Sequence, residues 1–327
     1  MKTSSKTKIS ILELVFPPFS SQEAVWFRNE PSIERHLRQS DFYMIGGKPE
    51  CFFVNINLNE NTYCIEFDIE MKGNIVSSGK INIRHLPFIA HLPMSSYKIR
   101  CQKKFIEFSN LDKENEKGLV IERFTSDNIF WYRSKYMNGI EGLDNYQELL
   151  KFDLLYVGIA KVGDSYDRLI KKGHTARMDI LSNETPRYLS SRVTDEIFLF
   201  LFKINPLIFS TFNGNHNFTD HDINPTYDNK KIVADAEKAF VSLLLPQYNI
   251  VKFRNYPQSQ DGLYDSGLDR YGYSISESLT FNTPHGTIKG WHDYLDIGIS
   301  NEADFIFVEG DNVKLFISGE DFPATPA

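Results

Sequence analysis

The chain has 327 residues, 41% of them hydrophobic and 24% charged, which is the composition of a folded globular protein and excludes a disordered one. Single hydrophobic cores seldom grow past roughly 250–300 residues, so this length predicts more than one domain. The formal net charge of −7 excludes a uniformly basic protein that binds nucleic acid over its whole surface.

The sequence shows no targeting or membrane segment. Its first residues, MKTSSKTKISILELVF, lack the apolar core and cleavage site of a signal peptide, and no stretch reaches the roughly 20 apolar residues that cross a bilayer. We therefore expect a cytoplasmic protein with no membrane partner. The three cysteines, Cys51, Cys64 and Cys101, have no C-x-x-C spacing and indicate neither a disulfide framework nor a thiolate zinc site.

Residues 1–120 predict a β-rich N-terminal domain of unknown role. Short runs with β-branched and aromatic residues, separated by polar turn residues, predict strands at CFFVNINL, TYCIEFDIEM, NIVSSGKINIRHL and YKIRCQKKFIEF. SQEAVWFRN and PSIERHLRQ predict two helices, the second opening with Pro31. The charged run SNLDKENEKG, residues 109–118, is a hairpin loop or a linker, and we place the first boundary beside it.

Residues 121–255 predict a second domain and residues 256–327 a β-rich C-terminal extension, so the fold class is α+β. Within the second domain we expect strands at NIFWYRSKY, LLYVGIA and EIFLFLFKI, the last central in its sheet because it is apolar on both faces. Helices are predicted at NGIEGLDNYQELLKF, SYDRLIKKGHTARMDIL and IVADAEKAFVSLLLPQY. The segment 151–178 is locally basic, which is typical of a phosphate-binding patch and also of a solvated helix face.

The order of these elements resembles the GIY-YIG nuclease domain over about residues 128–249. In that family the second strand carries a Tyr-Ile-Gly triplet, the first helix an arginine about ten positions on, and a later helix a glutamate followed by a Pro-x-hydrophobic-Asn ending. Here the corresponding residues are Tyr156 and Gly158 in YVG, Arg168, and Glu237 with Asn249 in EKAFVSLLLPQYN. The resemblance implies a small mixed sheet flanked by helices.

The resemblance also implies a chemistry, the hydrolysis of phosphodiester bonds. Glu237 would hold one divalent cation, Mg²⁺ or Mn²⁺, and a single carboxylate suits Mg²⁺ because this ion keeps most of its waters. Arg168 would contact a phosphate oxygen with its guanidinium fork, and Tyr156 would orient the water. His174 would exchange a proton or contact the phosphate, provided that the helix after Arg168 ends or kinks at Gly173. Asn249 would be structural, as a helix C-cap.

The first triplet of the family, Gly-Ile-Tyr, supplies a second tyrosine, and no such triplet stands upstream of YVG. Tyr132 is the expected substitute because it ends an apolar segment that could pair with LLYVGIA. The nucleic-acid-binding residues expected around the site are Lys161, Lys171, Lys172 and Arg177.

The function that this sequence predicts is a metal-dependent endonuclease of the restriction, mobile-element or phage-defence type, acting on DNA more than on RNA, as a homo-oligomer or with a defence-complex partner. Two alternatives stay open. One is a binding or regulatory subunit that keeps the fold without cutting. The other is a small-molecule hydrolase with a transition metal at His216, Asp220, His221 and Asp222. Each site residue also has a structural interpretation, such as a core tyrosine for Tyr156 or an Arg168–Asp164 ion pair on a helix surface.

Overall fold

A computed structural model of the chain describes residues 4–111, 119–212, 228–293 and 300–322, and these residues form an α+β fold. The strands are β1 (Ser4–Leu14), β2 (Phe19–Ser20), β3 (Phe42–Gly47), β4 (Cys51–Asn59), β5 (Cys64–Met71), β6 (Asn74–Asn82), β7 (Tyr97–Cys101), β8 (Phe105–Asn110), β9 (Val120–Thr125), β10 (Ile140–Gly142), β11 (Lys151–Ile159), β12 (Ile197–Phe212), β13 (Arg270–Ile275), β14 (Thr280–Thr283), β15 (Gly286–Lys289), β16 (Phe305–Glu309) and β17 (Asn312–Phe316). The helices are α1 (Glu23–Trp26), α2 (Pro31–Leu37), α3 (Ile129–Ser134), α4 (Tyr146–Leu149), α5 (Thr175–Asn183), α6 (Val193–Glu196) and α7 (Asn229–Leu244), with a π-helical turn at Asp167–Lys171.

One ten-stranded sheet organises the described part of the chain. Its order is β15-β14-β11-β3-β12-β1-β13-β16-β17, and β2 adds to the edge of β12. The strands come from all three predicted domains, since β1 pairs antiparallel with β12 and parallel with β13. The predicted boundaries near residues 120 and 255 therefore do not divide this sheet, and the sheet is far larger than the small one that the resemblance implied.

Strands β3 and β11 are neighbours in the sheet although they are far apart in the sequence. They pair antiparallel, with Tyr43 opposite Gly158 and Ile45 opposite Tyr156. Residues 48–150 lie between them in the chain and form two smaller sheets, ordered β10-β6-β5-β4 and β7-β8-β9. A large insertion thus separates the two halves of what would otherwise be a hairpin.

The large sheet buries both of its faces. Phe42, Phe198 and Phe200 face one core, which continues through the inserted sheets and α7. Tyr43, Ile45 and the neighbouring side chains face a second core, which also contains Leu169, Ile170 and Ile180 of the segments after β11. The first six residues of β12 are buried on both sides, which confirms that EIFLFLFKI is a central strand.

Several local predictions are confirmed, including the strands β4, β5 and β6 and the helices α1 and α2. The segment NIFWYRSKY is wrong as a strand, because residues 129–134 form α3. Reciprocal hydrogen bonds between Thr125 and Asn128 (2.8 and 3.0 Å) turn the chain just before this helix begins. In so short an apolar run, periodicity does not distinguish a helix from a strand.

Candidate active site

A cleft of about 940 Å³ opens where β11, the segment after it and the end of α7 meet; we call it the Tyr156 cleft. Four residues expected at the site line it: Tyr156, Arg168, His174 and Glu237. The structure therefore brings Tyr156 of β11 close to Glu237 of α7, although the two are about eighty positions apart in the sequence. Each of them reaches the cleft for a local reason.

The second tyrosine next to Tyr156 is Tyr43, on β3, and not Tyr132, which the sequence indicated. The two rings stack with centroids 6.1 Å apart and planes inclined by 23°. Tyr43 has no exposed surface, whereas Tyr156 is half-buried and faces the cleft. Tyr43 therefore lies behind Tyr156 and can act on a bound molecule only through its neighbours.

Gly158 makes this arrangement possible. A Cβ atom placed on Gly158 would lie 2.7 Å from the hydroxyl oxygen of Tyr43, closer than real Cβ atoms come to any neighbour. The glycine of the YVG triplet is thus needed because the ring of the opposite strand passes over it. The sequence anticipated a structural glycine here but not which side chain requires the space.

His174 reaches the tyrosines because the predicted single helix is broken before it. The π-helical turn ends at Lys171, Gly173 has φ of +72°, and His174 is the N-cap of α5. The imidazole Nδ1 accepts a hydrogen bond from the backbone N–H of Arg177 at 3.2 Å. The ring proton is therefore assigned to Nε2, which donates to the Tyr43 hydroxyl at 2.9 Å.

In this hydrogen bond the imidazole is the donor and the Tyr43 hydroxyl is the acceptor. Burial, followed by the nearby charges of Arg168 and Arg177, lowers the pKa of His174 to about 4, so the imidazole is neutral at physiological pH. Tyr43 accepts from His174, and burial, followed by the neighbouring Tyr156, raises the pKa of Tyr43. His174 therefore orients Tyr43, whose ring stacks on Tyr156 at the wall of the cleft.

Arg168 is the cation next to Tyr156. Its guanidinium donates to the carbonyl of Ile159 at 2.8 Å, which fixes the side chain against the end of β11. The Arg168–Asp164 ion pair of the structural interpretation is not formed, since Asp164 binds Arg38 at 2.6 Å instead. Burial and then the charge of Glu237 raise the pKa of Tyr156, and the charge of Arg168 opposes that rise.

Three carboxylates line the cleft, Asp167, Asp179 and Glu237, and Glu237 is the one expected to hold a cation. It is half-buried on α7 and makes no hydrogen bond or ion pair with any residue in the described ranges. Burial raises its pKa, and the charges of Lys161, Lys238 and Arg168 oppose that rise. An uncommitted, partly desolvated carboxylate fits one hard cation that keeps most of its waters. Among the described residues no group of three His, Cys, Asp or Glu side chains is placed to hold a metal ion, so a fully protein-made metal cage is not present there.

Asn249 holds the wall of the cleft together. Its side chain accepts from the backbone N–H of Val157 at 2.9 Å and donates to the carbonyl of the same residue at 2.7 Å, as a neighbouring strand would. It is not the helix C-cap that the sequence suggested, because α7 ends at Leu244 with Leu245 in the left-handed conformation. Asn249 instead fastens the segment after α7 to the strand that carries Tyr156.

The expected nucleic-acid-binding residues divide into two pairs. Lys161 and Lys172 line the cleft. Lys171 points away from it, to Glu34 at 3.2 Å. Arg177 is buried, donates to the carbonyls of Leu169 and Ser21 at 2.7 and 2.8 Å, and serves the core between α5 and the sheet. The assignment of Arg177 to a substrate surface was therefore wrong, because it is buried, and Lys171 does not line the cleft, since a count of charges does not show which side of a segment each one faces.

Tyr132 is also not at the cleft. It lies on α3 in the inserted region, packs edge-on against Phe124 at 5.0 Å between ring centroids, and places its hydroxyl 3.4 Å from a carboxylate oxygen of Glu122. The sequence held a signal for the correct residue in FYMIGG, an apolar run that ends in two glycines. That run stands more than a hundred positions before YVG, outside the span in which a hairpin partner is normally sought. The histidine- and aspartate-rich alternative, His216 to Asp222, lies outside the described residues.

Comparison with other proteins adds no relative: no family model matches the chain, and neither the curated proteins nor the solved structures contain a significant match. In the described ranges, none of the helices has the length and apolar character needed to cross a membrane. The interpretation of the cleft consequently rests on its own geometry.

Proposed function

We propose that the chain is a metal-dependent endonuclease with a GIY-YIG-like site, which hydrolyses phosphodiester bonds of nucleic acid, DNA in preference to RNA. The observation that carries the proposal is the meeting of Tyr156, Arg168, His174 and Glu237 in one cleft, with Tyr43 behind them. A restriction or phage-defence role, in the cytoplasm and with oligomer or complex partners, is the setting that we expect for such an enzyme.

Hydrolysis of a phosphodiester needs positive charge on the phosphoryl oxygens and a group that takes a proton from water. The guanidinium of Arg168 is fixed by the Ile159 carbonyl and retains N–H groups for a phosphate oxygen. Tyr156 would orient the attacking water, because its ring faces the cleft beside Arg168 and Glu237. Tyr43 is a positioning residue, because it is buried behind Tyr156 and hydrogen-bonded to His174.

Glu237 is the residue that would hold Mg²⁺ or Mn²⁺. When bound, the ion supplies positive charge to the phosphate and its leaving oxygen. Lys161 and Lys172 line the same cleft and would neutralise phosphates on the flanking strand.

The test is cleavage of supercoiled plasmid and labelled oligonucleotides with Mg²⁺, Mn²⁺ or EDTA. Arg168→Ala and Glu237→Ala should each lose cleavage by at least about a hundredfold, the usual cost of removing a charge-stabilising group. Lys172→Ala should weaken nucleic-acid binding and reduce the salt slope by about one. Lys171→Ala is its matched control, because this neighbouring lysine faces Glu34.

A second outcome would favour the alternative of a binding subunit. Two carboxylates that line the cleft, Glu237 and the exposed Asp179, make no ion pair with any residue in the described ranges, and no described group of three metal-ligating side chains surrounds them. If the purified protein binds DNA or RNA with a steep salt dependence and never cuts it with any divalent ion, the endonuclease proposal fails and the binding module replaces it.

A further inference from the structure

An exposed apolar ridge borders the Tyr156 cleft just after Asn249. It consists of Ile250 and Val251, whose side chains are 96% and 60% exposed. The ridge lines the Tyr156 cleft on one side and a second depression of about 490 Å³ on the other. Two adjacent β-branched side chains at exposed positions forgo the free energy that burial would give them. We therefore expect a binding partner to cover them.

The ridge is held in place from both ends. Before it, Asn249 is fastened to the backbone of Val157. After it, the Lys252 ammonium donates to the carbonyls of Leu245, at 3.3 Å, and Pro246. Phe253 then packs against the main core at φ of +45°, a conformation that costs energy in a bulky residue. The ridge is thus exposed although the segment that carries it is anchored at both ends.

The surroundings of the ridge contain cations and apolar side chains beside the carboxylates Asp167, Asp179 and Glu237. Arg168, Lys161 and Lys172 line the Tyr156 cleft together with Val162, which is 89% exposed. Arg254 lines the second depression and is exposed. Cations on both sides of a narrow apolar edge match a chain with regularly spaced phosphates and flat apolar bases between them.

We propose that Ile250 and Val251 form a wedge that enters the base stack beside the phosphate bound by Arg168. The preferred substrate is then a nucleic acid whose bases are already unpaired or unstacked at that step, such as a bulge or a flap junction. Opening a stacked step costs free energy, and a substrate in which the step is already open avoids this cost. The inference rests on the proposed function, because it takes Arg168 to be the phosphate contact.

The experiment compares a short uniform duplex with the same duplex carrying a bulge of unpaired bases, each labelled with 2-aminopurine next to the bulge position. Ca²⁺ replaces Mg²⁺ so that binding is measured without cutting. Wild-type protein should bind the bulged duplex at least about tenfold more tightly and increase the 2-aminopurine fluorescence, which reports unstacking. The double variant Ile250→Ser, Val251→Ser should lose most of this preference. Ile75→Ser, at a 57% exposed position on β6, is the matched control and should retain the preference.

Equal affinity of the wild-type protein for the two duplexes, or an unchanged preference in the double variant, would overturn the wedge. In either case Mg²⁺-dependent cleavage that is lost in Glu237→Ala would leave the proposed endonuclease intact. Absence of binding to both nucleic acids would refute the wedge and the proposed function together.

Discussion

Replacing Tyr43 with phenylalanine removes one hydroxyl group and keeps the ring that stacks on Tyr156. The variant takes away the acceptor for His174 Nε2, 2.9 Å away. An unsatisfied donor in a fully buried place costs about 1–3 kcal/mol, and Tyr43 has no exposed surface. We therefore expect the free energy of unfolding to fall by about 2 kcal/mol, measured by urea denaturation.

The effect of this change on the rate follows from the position of Tyr156, whose ring stacks on Tyr43. Displacing a reacting group by about 1 Å costs about a hundredfold in rate. Tyr43→Phe should therefore lower the single-turnover cleavage rate constant by about 10- to 100-fold at saturating protein.

Tyr132→Phe is the matched control for Tyr43→Phe. It also removes one hydroxyl from a buried tyrosine, but that hydroxyl lies 3.4 Å from Glu122 and has no connection to the cleft. Its cleavage rate constant should stay within about twofold of the wild type. A Tyr43→Phe protein that cuts at the wild-type rate, or a Tyr132→Phe protein with the larger loss, would refute the assignment of the second tyrosine to β3.

Three further changes test other parts of the cleft. Gly158→Ala places a methyl group 2.7 Å from the Tyr43 hydroxyl, so we expect a loss of about 1–3 kcal/mol in urea denaturation together with slower cleavage. Asn249→Asp removes one of two hydrogen bonds to β11 and buries a charge, which should lower the free energy of unfolding by at least about 2 kcal/mol. An unchanged denaturation midpoint would show that Asn249 does not fasten this segment to β11. Glu237→Gln should raise the Tm at neutral pH, because burial raises the pKa of Glu237 and its ionised form is therefore disfavoured in the folded protein. This gain should disappear as the pH falls through that pKa, and Mg²⁺ should raise the Tm of the wild type but not of the variant.

The loss of folding stability at acidic pH should depend on His174. Its pKa is about 4 in the folded protein against 6.5 for a free histidine, so the unfolded chain binds the proton more readily. Stability is complete above pH 6.5 and is lost as the pH falls from about 6.5 towards 4, by on the order of 2 kcal/mol. In His174→Gln this part of the loss should be absent, as read from denaturation midpoints across that range; equal slopes in both proteins would contradict a buried neutral imidazole.

The parts of the fold that sequence could predict were those set by local pattern. Strands such as β4 and β5 show their period in consecutive residues, and the buried run of β12 indicated its central position. The same holds for the site, where Tyr156, Arg168 and Glu237 were selected from a spacing that lies within one continuous stretch and were found in one cleft. Their catalytic roles stay predictions.

What could not be predicted depended on pairing across the insertion. Nothing near YVG indicates that its partner strand is FYMIGG, since strand pairing over long separations leaves no local pattern. The burial of Arg177 and the outward direction of Lys171 depend on which face of a broken helix meets the sheet. That break, at Gly173, also decided that His174 reaches Tyr43.

The separation of β3 from β11 has a consequence for the time at which the cleft exists during synthesis. Tyr43 and His174 are 131 positions apart, and β1 finds its partner β12 only after about two hundred residues have been made. Such non-local pairings form late because the loop that joins them must be closed first. The ribosome must therefore release most of the chain, through Glu237 of α7, before any nascent molecule can assemble the cleft. Whatever the cleft does, this order of events delays its activity until most of the chain has folded.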